Sequence, residues 1–326
     1  MAAIRTRAYT SGKLSDQDFP LDLVSEHLED EHTIVWVDFE RPTTADLATL
    51  SDELGIHELA VEDALETNQQ RPKVDFYSEQ IFMSARVVRV DADSGELDEN
   101  EVDAFIGKRF LITVRPNDCF DMAPVIQQWD HNPRRVEIGA GYLLYALLDS
   151  IIDTYFDAIE TFDDFYENVS DALFEETPIN PTKQREWFEM RRALVRLHRL
   201  VFSTREAVSA LLRRDHDAID DSLRPYFQDS YDHVIRASES TDELRDLVST
   251  IVDTNLILRD YRQNQAMKKV TSWAAIIAVP TLVTGFYGMN VPYFGFGDNN
   301  GVWLSIALIF VLPIILFVQF KRHDWL

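Results

Sequence analysis

The chain has 326 residues, a formal net charge of −25 and a pI near 4.6. That length gives one large or two medium domains a sizeable core. The charge excludes nucleic acid as the natural partner, because phosphate attracts basic proteins; it suits either a protein that meets cations or a merely soluble acidic surface. The one cysteine, Cys119, rules out an internal disulfide and fits a reducing compartment. The opening MAAIRTRAYTSGKLSDQDF has no apolar h-region, so no signal peptide is expected.

Residues 1–138 read as a mixed α/β domain. Thr33–Phe39, Gln80–Val90, Val102–Ile106 and Phe110–Val114 are rich in branched and aromatic residues and predict strands. Thr43–Leu54, with Thr44 able to cap, and Ile56–Leu65 predict short helices. Asp91–Asn100 reads as a polar turn. From Gly139 the strand signals stop. Gly139–Phe174 is apolar at helical spacing, Pro178 and Pro181 break it, and Thr182–Asp217 predicts a second long helix. Residues 139–221 thus form a helical hairpin. Pro225 marks a third start, and from about Tyr226 nothing stops that helix before Pro280. Its part before the apolar region would be about 60 Å long at 1.5 Å per residue, so it needs packing partners.

Val270–Met289 (VTSWAAIIAVPTLVTGFYGM) and Val302–Phe320 (VWLSIALIFVLPIILFVQF) carry no charge and are long enough to cross a bilayer. A buried soluble hairpin is the competing reading. Lys268 and Lys269 precede the first run, Lys321 and Arg322 follow the second, and residues 290–301 contain no Lys or Arg. The positive-inside rule then places both termini in the cytoplasm and the loop outside. Trp303 and Trp325 sit near span ends, where interfacial aromatics collect. The layout expected is a stalk helix over 222–290 running on into the first span at 270–289, an outer loop at 291–301, a second span at 302–320 and a basic tail at 321–326. Along the stalk and first span, Asn264, Met267, Thr271, Ala274, Ala278, Thr281, Gly285 and Gly288 share one face that is small or polar within the span. Such a stripe lines a pore or lets two helices approach closely, and the stripe alone does not choose.

At Tyr287-Gly288-Met289-Asn290 the chain reaches a signature. It closes an apolar span, follows PTLVTGF, and is trailed by a second span and a short basic tail. With GIHELAVEDALETNQQRPKVDFY (55–77), GYLLYALLDSIIDTYF (141–156) and RPYFQDSYDH (224–233), it makes the sequence resemble the CorA family of magnesium and cobalt channels over nearly its whole length. The resemblance implies a homopentameric funnel in the inner membrane: an α+β cytoplasmic domain, long stalk helices and two C-terminal transmembrane helices around a central pore. It implies that Asn290 and the Gly288 carbonyl, within the Tyr287–Asn290 motif, ring the entrance. Neutral oxygens there would hold Mg²⁺ through its water, which that ion sheds reluctantly. Thr281 and Asn264 match polar pore positions, and Val270 and Met267 match a hydrophobic constriction. Co²⁺ and Ni²⁺ are implied surrogates.

The family also senses internal Mg²⁺ at carboxylates between subunits. Asp63 and Glu62 match one side; Asp229 matches the other, with His233 and Asp149 nearby. A cation removes the repulsion between gathered carboxylates, so a closed state that binds more Mg²⁺ is favoured as Mg²⁺ rises. The acids at 149, 153, 157, 160, 164, 167, 171 and 175 form one stripe, which reads as the wet face of a helix or as a cation concentrator.

The outer loop VPYFGFGDNNG departs from the family's acidic M-P-E-L segment, with Asp298 as its one acid, and the basic tail is thin. Related ZntB zinc transporters also lack the acidic loop, which keeps Zn²⁺ and proton coupling open. A membrane-anchored cation sensor that conducts nothing is a third reading. His27 and His32 have the wrong spacing for a zinc protease helix. Asp91-Ala-Asp-Ser-Gly fails as a calcium loop, since Val102 stands where the bidentate Glu belongs. With no nucleophile constellation and no phosphate-binding glycine loop, no enzyme is expected.

Overall fold

The computed structural model describes residues 3–65, 71–118, 120–173, 181–292, 297 and 299–326. Cys119, Glu175, Pro178 and Asp298 lie outside the described residues. The chain divides into two compact units, Met1–Ser249 and Thr250–Leu326.

In the first unit, β1 (Ala3–Thr10), β2 (Lys13–Gln17), β3 (Thr33–Glu40), β4 (Lys73–Phe76), β5 (Ile81–Val90), β6 (Leu97–Ile106) and β7 (Phe110–Arg115) form one sheet in the order β2-β1-β3-β7-β6-β5-β4. Neighbours are antiparallel except the parallel pair β3–β7. One face packs on α1 (Val24–Glu29), α2 (Thr44–Leu54) and α3 (Glu58–Leu65), where Val35, Val37, Phe39, Phe105 and Val114 meet Val24, Leu47, Leu50 and Ala60. The other face takes α4 (Ala123–His131), whose Trp129 meets Trp36 at 5.0 Å, and α6 (Ala140–Leu173), whose Tyr155 hydroxyl donates to the Arg86 carbonyl at 2.8 Å. A short α5 (Pro133–Val136) joins them. Burial on both faces is why β3 and β5 read as continuous apolar runs rather than alternating ones. The buried Asp38 carboxylate in β3 is fully paired: Arg115 donates to it at 2.6 and 3.0 Å and Thr113 at 2.7 Å.

The four expected strands form with shifted ends. β6 starts at Leu97, so the turn is shorter than 91–100 and Asp98–Asn100 pair with β5. Sequence reading missed β1, β2 and β4, as well as α1, α4 and α5. The β1–β2 hairpin turns on Ser11 and Gly12, both in the left-handed region (φ 50° and 75°), the geometry of a two-residue turn. A Cβ on Gly12 would lie 1.8 Å from the Pro133 carbonyl oxygen, so no other residue fits there. The cap of α2 is Thr43, not Thr44. Its hydroxyl accepts from the Asp46 amide at 3.4 Å, while Asp46 Oδ2 accepts from the Thr43 amide at 2.8 Å. The Thr43 amide bond, followed by its hydroxyl, holds the Asp46 carboxyl below its usual range, so this support is present above pH 4 and is lost as acid protonates Asp46. Thr43→Ala is expected to cost about 1 kcal/mol, a fall in thermal midpoint of about 2–4 °C by circular dichroism.

Three long helices follow: α6, α7 (Pro181–Arg213) and α8 (Arg224–Tyr287), the last 64 residues long. The inward face of α6 runs Leu148, Ile151, Ile152, Tyr155, Ala158, Phe162, Tyr166, Val169 and Leu173, a helical repeat. The acids at 153, 157, 160, 164, 167 and 171 are exposed, so most of the stripe is the wet face; Asp149 alone is half-buried.

In the second unit, α8 passes through Pro280 and ends at Tyr287, and α9 spans Asn299–Arg322. Proline has no N–H to give the Ile276 carbonyl. Nearby, Thr281 Oγ1 donates to the Ile277 carbonyl at 3.1 Å and Thr284 Oγ1 to the Thr281 carbonyl at 3.0 Å, so hydroxyls supply extra backbone bonds around the break. The most apolar 18-residue windows of the two helices are only 11% and 6% buried. The soluble-hairpin reading fails on that observation, because a core helix would be covered. Ile277, Leu282 and Phe310 are 64%, 74% and 64% exposed, a surface that suits lipid and not water.

Candidate metal centre and pore segment

Asp149 on α6 and Asp229 and His233 on α8 each offer a ligand atom, and these atoms lie within 4.8 Å of one another. The i, i+4 spacing of Asp229 and His233 puts both on one face of α8, and α6 supplies the third. His233 Nδ1 stands 3.5 Å from Asp149 Oδ1, and Nε2 3.8 Å from Asp229 Oδ1. At that distance no donor satisfies the buried Asp149 Oδ1. Burial, then the neighbouring Asp153, push the Asp149 carboxyl upward. Two carboxylates and an imidazole around an unpaired buried oxygen are a donor set that divalent cations accept; the oxygens suit Mg²⁺ and the nitrogen suits Co²⁺, Ni²⁺ and Zn²⁺.

Sequence reading missed Tyr145. Its hydroxyl lies 3.5 Å from Asp229 Oδ2. Burial, then Asp149 and Asp229, raise its ionisation, so it stays a neutral O–H facing the carboxylate. One helical turn before Asp149, it was available as an i, i+4 partner.

Glu62 and Asp63 stand on α3, outside that group. Glu62 is exposed. Asp63 accepts from Lys73 Nζ at 2.6 Å, and Lys73 also bridges Asp75 at 3.1 Å. Burial opposes the lysine's charge, yet the two carboxylates hold its pKa above the usual range. A cation at Asp63 must therefore displace an ammonium. Lys73 escaped notice because it lies on β4, which sequence reading missed.

In the second unit, Asn264, Met267, Val270, Thr271, Ala274, Ala278, Thr281 and Gly285 are all exposed. Ser272 and Val283, on a different face of α8, are buried, and Trp273 meets Phe317 of α9 at 6.5 Å. The small and polar stripe is thus left uncovered by the chain's own second apolar helix. The Thr281 hydroxyl spends its proton on the backbone, which leaves its oxygen as an acceptor on an exposed side chain. Past Tyr287 the helix ends: Gly288 donates to the Thr284 carbonyl at 2.9 Å and Met289 to the Phe286 carbonyl at 3.3 Å. A Cβ on Gly288 would sit 2.9 Å from the Thr284 oxygen, which is why glycine holds that place. Asn290 follows, exposed, beyond the negative end of the helix dipole.

A mixed sheet with long helices and two uncovered apolar helices, each long enough to cross a bilayer, fits the class of integral membrane proteins. The profile of the family described as "CorA-like Mg²⁺ transporter protein" matches residues 31–322, and the chain belongs to that family. It is 31% identical over 304 residues to the cobalt/magnesium transport protein CorA of Thermotoga maritima, covering 91% of this chain and 85% of that one. The complete CorA magnesium transporter structure from Methanocaldococcus jannaschii superposes with a TM-score of 0.78 at 23% identity, covering 98% of both chains. The ZntB cytoplasmic domain from Vibrio parahaemolyticus shares the fold more distantly, with a TM-score of 0.56 at 13% identity over 78% of this chain and 98% of that one. The expected fold class therefore holds, and the chain is a membrane transporter of the CorA type.

Proposed function

We propose that this chain forms a homopentameric channel in the inner membrane that passes hydrated Mg²⁺, with Co²⁺ and Ni²⁺ as surrogates. The carrying observation is the uncovered stripe from Asn264 to Thr281 that ends at Gly288 and Asn290. Repeated around an axis, it offers hydroxyl, carbonyl and amide oxygens to an ion that keeps its water, and such weak binding lets the ion leave. Met267 and Val270, 60% and 66% exposed, would form an apolar ring that gates by dewetting. Residues 1–269 and 321–326 face the cytoplasm and residues 291–301 face out, as the flanking lysines and arginine direct. Asp149, Asp229 and His233 of one subunit, with Asp63 and Glu62 of its neighbour, bind cytoplasmic Mg²⁺ and favour the closed state.

A transporter for Zn²⁺ is the second reading, favoured by the imidazole in the cluster. Competitive flux of Mg²⁺, Co²⁺, Ni²⁺ and Zn²⁺ through the purified protein in liposomes, with and without a pH gradient, separates the two. Mg²⁺ flux that needs no gradient is expected; gradient-driven Zn²⁺ flux favours the second reading. Passage of no cation would leave a non-conducting sensor.

Asp149 also gives a test of opposite signs. Its raised pKa contributes stability below the ordinary carboxyl range, and this is lost as pH rises through the folded-state value. Without Mg²⁺ at pH 7.5 (roughly the cytoplasmic value), Asp149→Asn is expected to melt no lower than the parent. With Mg²⁺ near 10 Kd it should forfeit about 1.4 kcal/mol of ligand stabilisation. Differential scanning fluorimetry across a Mg²⁺ series reads both.

A further inference from the structure

The first unit holds a second place where acids are buried without a full set of partners. Asp103 and Glu101 lie two apart on β6 and so point to the same face of the sheet, about 6.8 Å apart along the strand. They are 3% and 8% exposed. Glu101 is paired: Arg86 reaches it at 3.1 Å and the Ser84 hydroxyl donates to it at 3.1 Å. Asp103 is paired only in part. Its Oδ1 is buried with no hydrogen-bond partner, and its cross-strand neighbour Ser84 has a single hydroxyl proton, its oxygen 3.1 Å from Glu101, to serve both acids. The surrounding cations are engaged elsewhere, Lys73 with Asp63 and Asp75, and Arg41 with Asp118. Burial, then the Glu101 carboxylate, push Asp103 up to about 8, and burial raises Glu101 as well.

Both acids line a cavity of about 220 Å³, walled by Ala64 and Leu65 of α3 and Val114 of β7, with exposed Arg41 and Pro116 at its rim. That is far more room than one water needs. Six waters at about 30 Å³ each occupy about 180 Å³, the shell that Mg²⁺ surrenders reluctantly. We propose that Asp103 and Glu101 hold a hydrated divalent cation in this cavity, through its waters, at a site separate from Asp149, Asp229 and His233. A doubly charged ion relieves the cost of the buried Asp103 Oδ1 without a donor and the repulsion from Glu101, which Ser84 and Arg86 offset only in part. Outer-sphere binding suits a cavity with room for the ion's own waters. The site does not depend on the pore assignment or on the cluster between α6 and α8.

Mn²⁺ is the probe, counted as the loss of the free-ion EPR signal on titrating the full-length protein, stripped of metal, in detergent. The parent is compared with Asp103→Asn, Asp149→Asn and the pair combined. A third single variant, Ala64→Met, fills the cavity without altering either acid and serves if Asp103→Asn fails to fold by circular dichroism. Asp103→Asn and Ala64→Met are each expected to lose one Mn²⁺ per chain, and the combined variant to lose one more than Asp149→Asn alone. A parental count in folded Asp103→Asn and in Ala64→Met overturns the proposal, whatever Asp149→Asn does; an unchanged count in Asp149→Asn alone counts against the other cluster instead.

Discussion

Asn290→Ala is expected to abolish Mg²⁺ uptake while leaving the fold intact. Asn290 is exposed just past the end of α8, where Gly288 and Met289 close the last backbone bonds. Its side chain is exposed, so stability should change by about 0.5 kcal/mol or less. Function differs, because in the proposed ring every subunit loses its amide oxygen at once. An ion that had exchanged bulk water for several oriented oxygens then meets methyl groups at a narrow mouth. If each lost contact is worth only about 1 kcal/mol, a ring of them lowers entry by several orders of magnitude. The measurement is Mg²⁺ influx into proteoliposomes with a fluorescent indicator, beside size-exclusion and melting profiles. Uptake at more than about one tenth of the parental rate by a folded variant would refute the pore assignment.

Asp63→Ala combined with Asp229→Ala should weaken closure at high internal Mg²⁺. A site that binds only the closed state favours it by about 2.7 kcal/mol when Mg²⁺ is at 100 Kd, about a hundredfold in the closed-to-open ratio for each site. Losing that term shifts the inhibitory Mg²⁺ concentration upward by at least about tenfold. The ammonium of Lys73, 2.6 Å from Asp63, adds a refinement. Asp63→Ala alone also leaves the Lys73 ammonium with only Asp75 as its carboxylate partner near the proposed interface, so its effect mixes lost binding with less neutralised positive charge; Lys73→Met with Asp63 intact should instead strengthen block. Inward Mg²⁺ current recorded at graded internal Mg²⁺ reads all three. Identical inhibition curves for parent and double variant would remove these acids from the sensor.

The pattern of success and failure in reading the sequence has physical causes. Long elements with strong periodicity were legible: α6 begins at Ala140 and ends at Leu173, within one residue of the span Gly139–Phe174. β1, β2 and β4 were not. β2 and β4 have no fully buried residue, so hydrophobic patterning carried no signal. The Ser11-Gly12 turn was a usable hint, but what makes Gly12 necessary is the carbonyl of Pro133, over a hundred residues away. Thr43 rather than Thr44 caps α2 because Asp46 falls at the third helical position only in that frame, a distinction of one residue that the TT pair hides. At the cluster, the spacing of Asp229 and His233 was readable, since both lie on one helix. Their approach to Asp149 depends on how α6 and α8 pack, and the contact of Asp63 with Lys73 depends on where β4 pairs.

By itself the sequence determined that two charge-free runs must leave water, that basic residues flank them, and that a small polar stripe ends at a glycine and an asparagine. These are local matters of length, composition and period, and they survive any packing arrangement. Only the tertiary structure decided that both apolar helices stay uncovered within the chain, that Asp149 has a buried oxygen without a donor, and that Asp103 faces a cavity large enough for a hydrated ion. Burial and unmet hydrogen bonds arise from elements distant in the chain, so no stretch of sequence carries them alone.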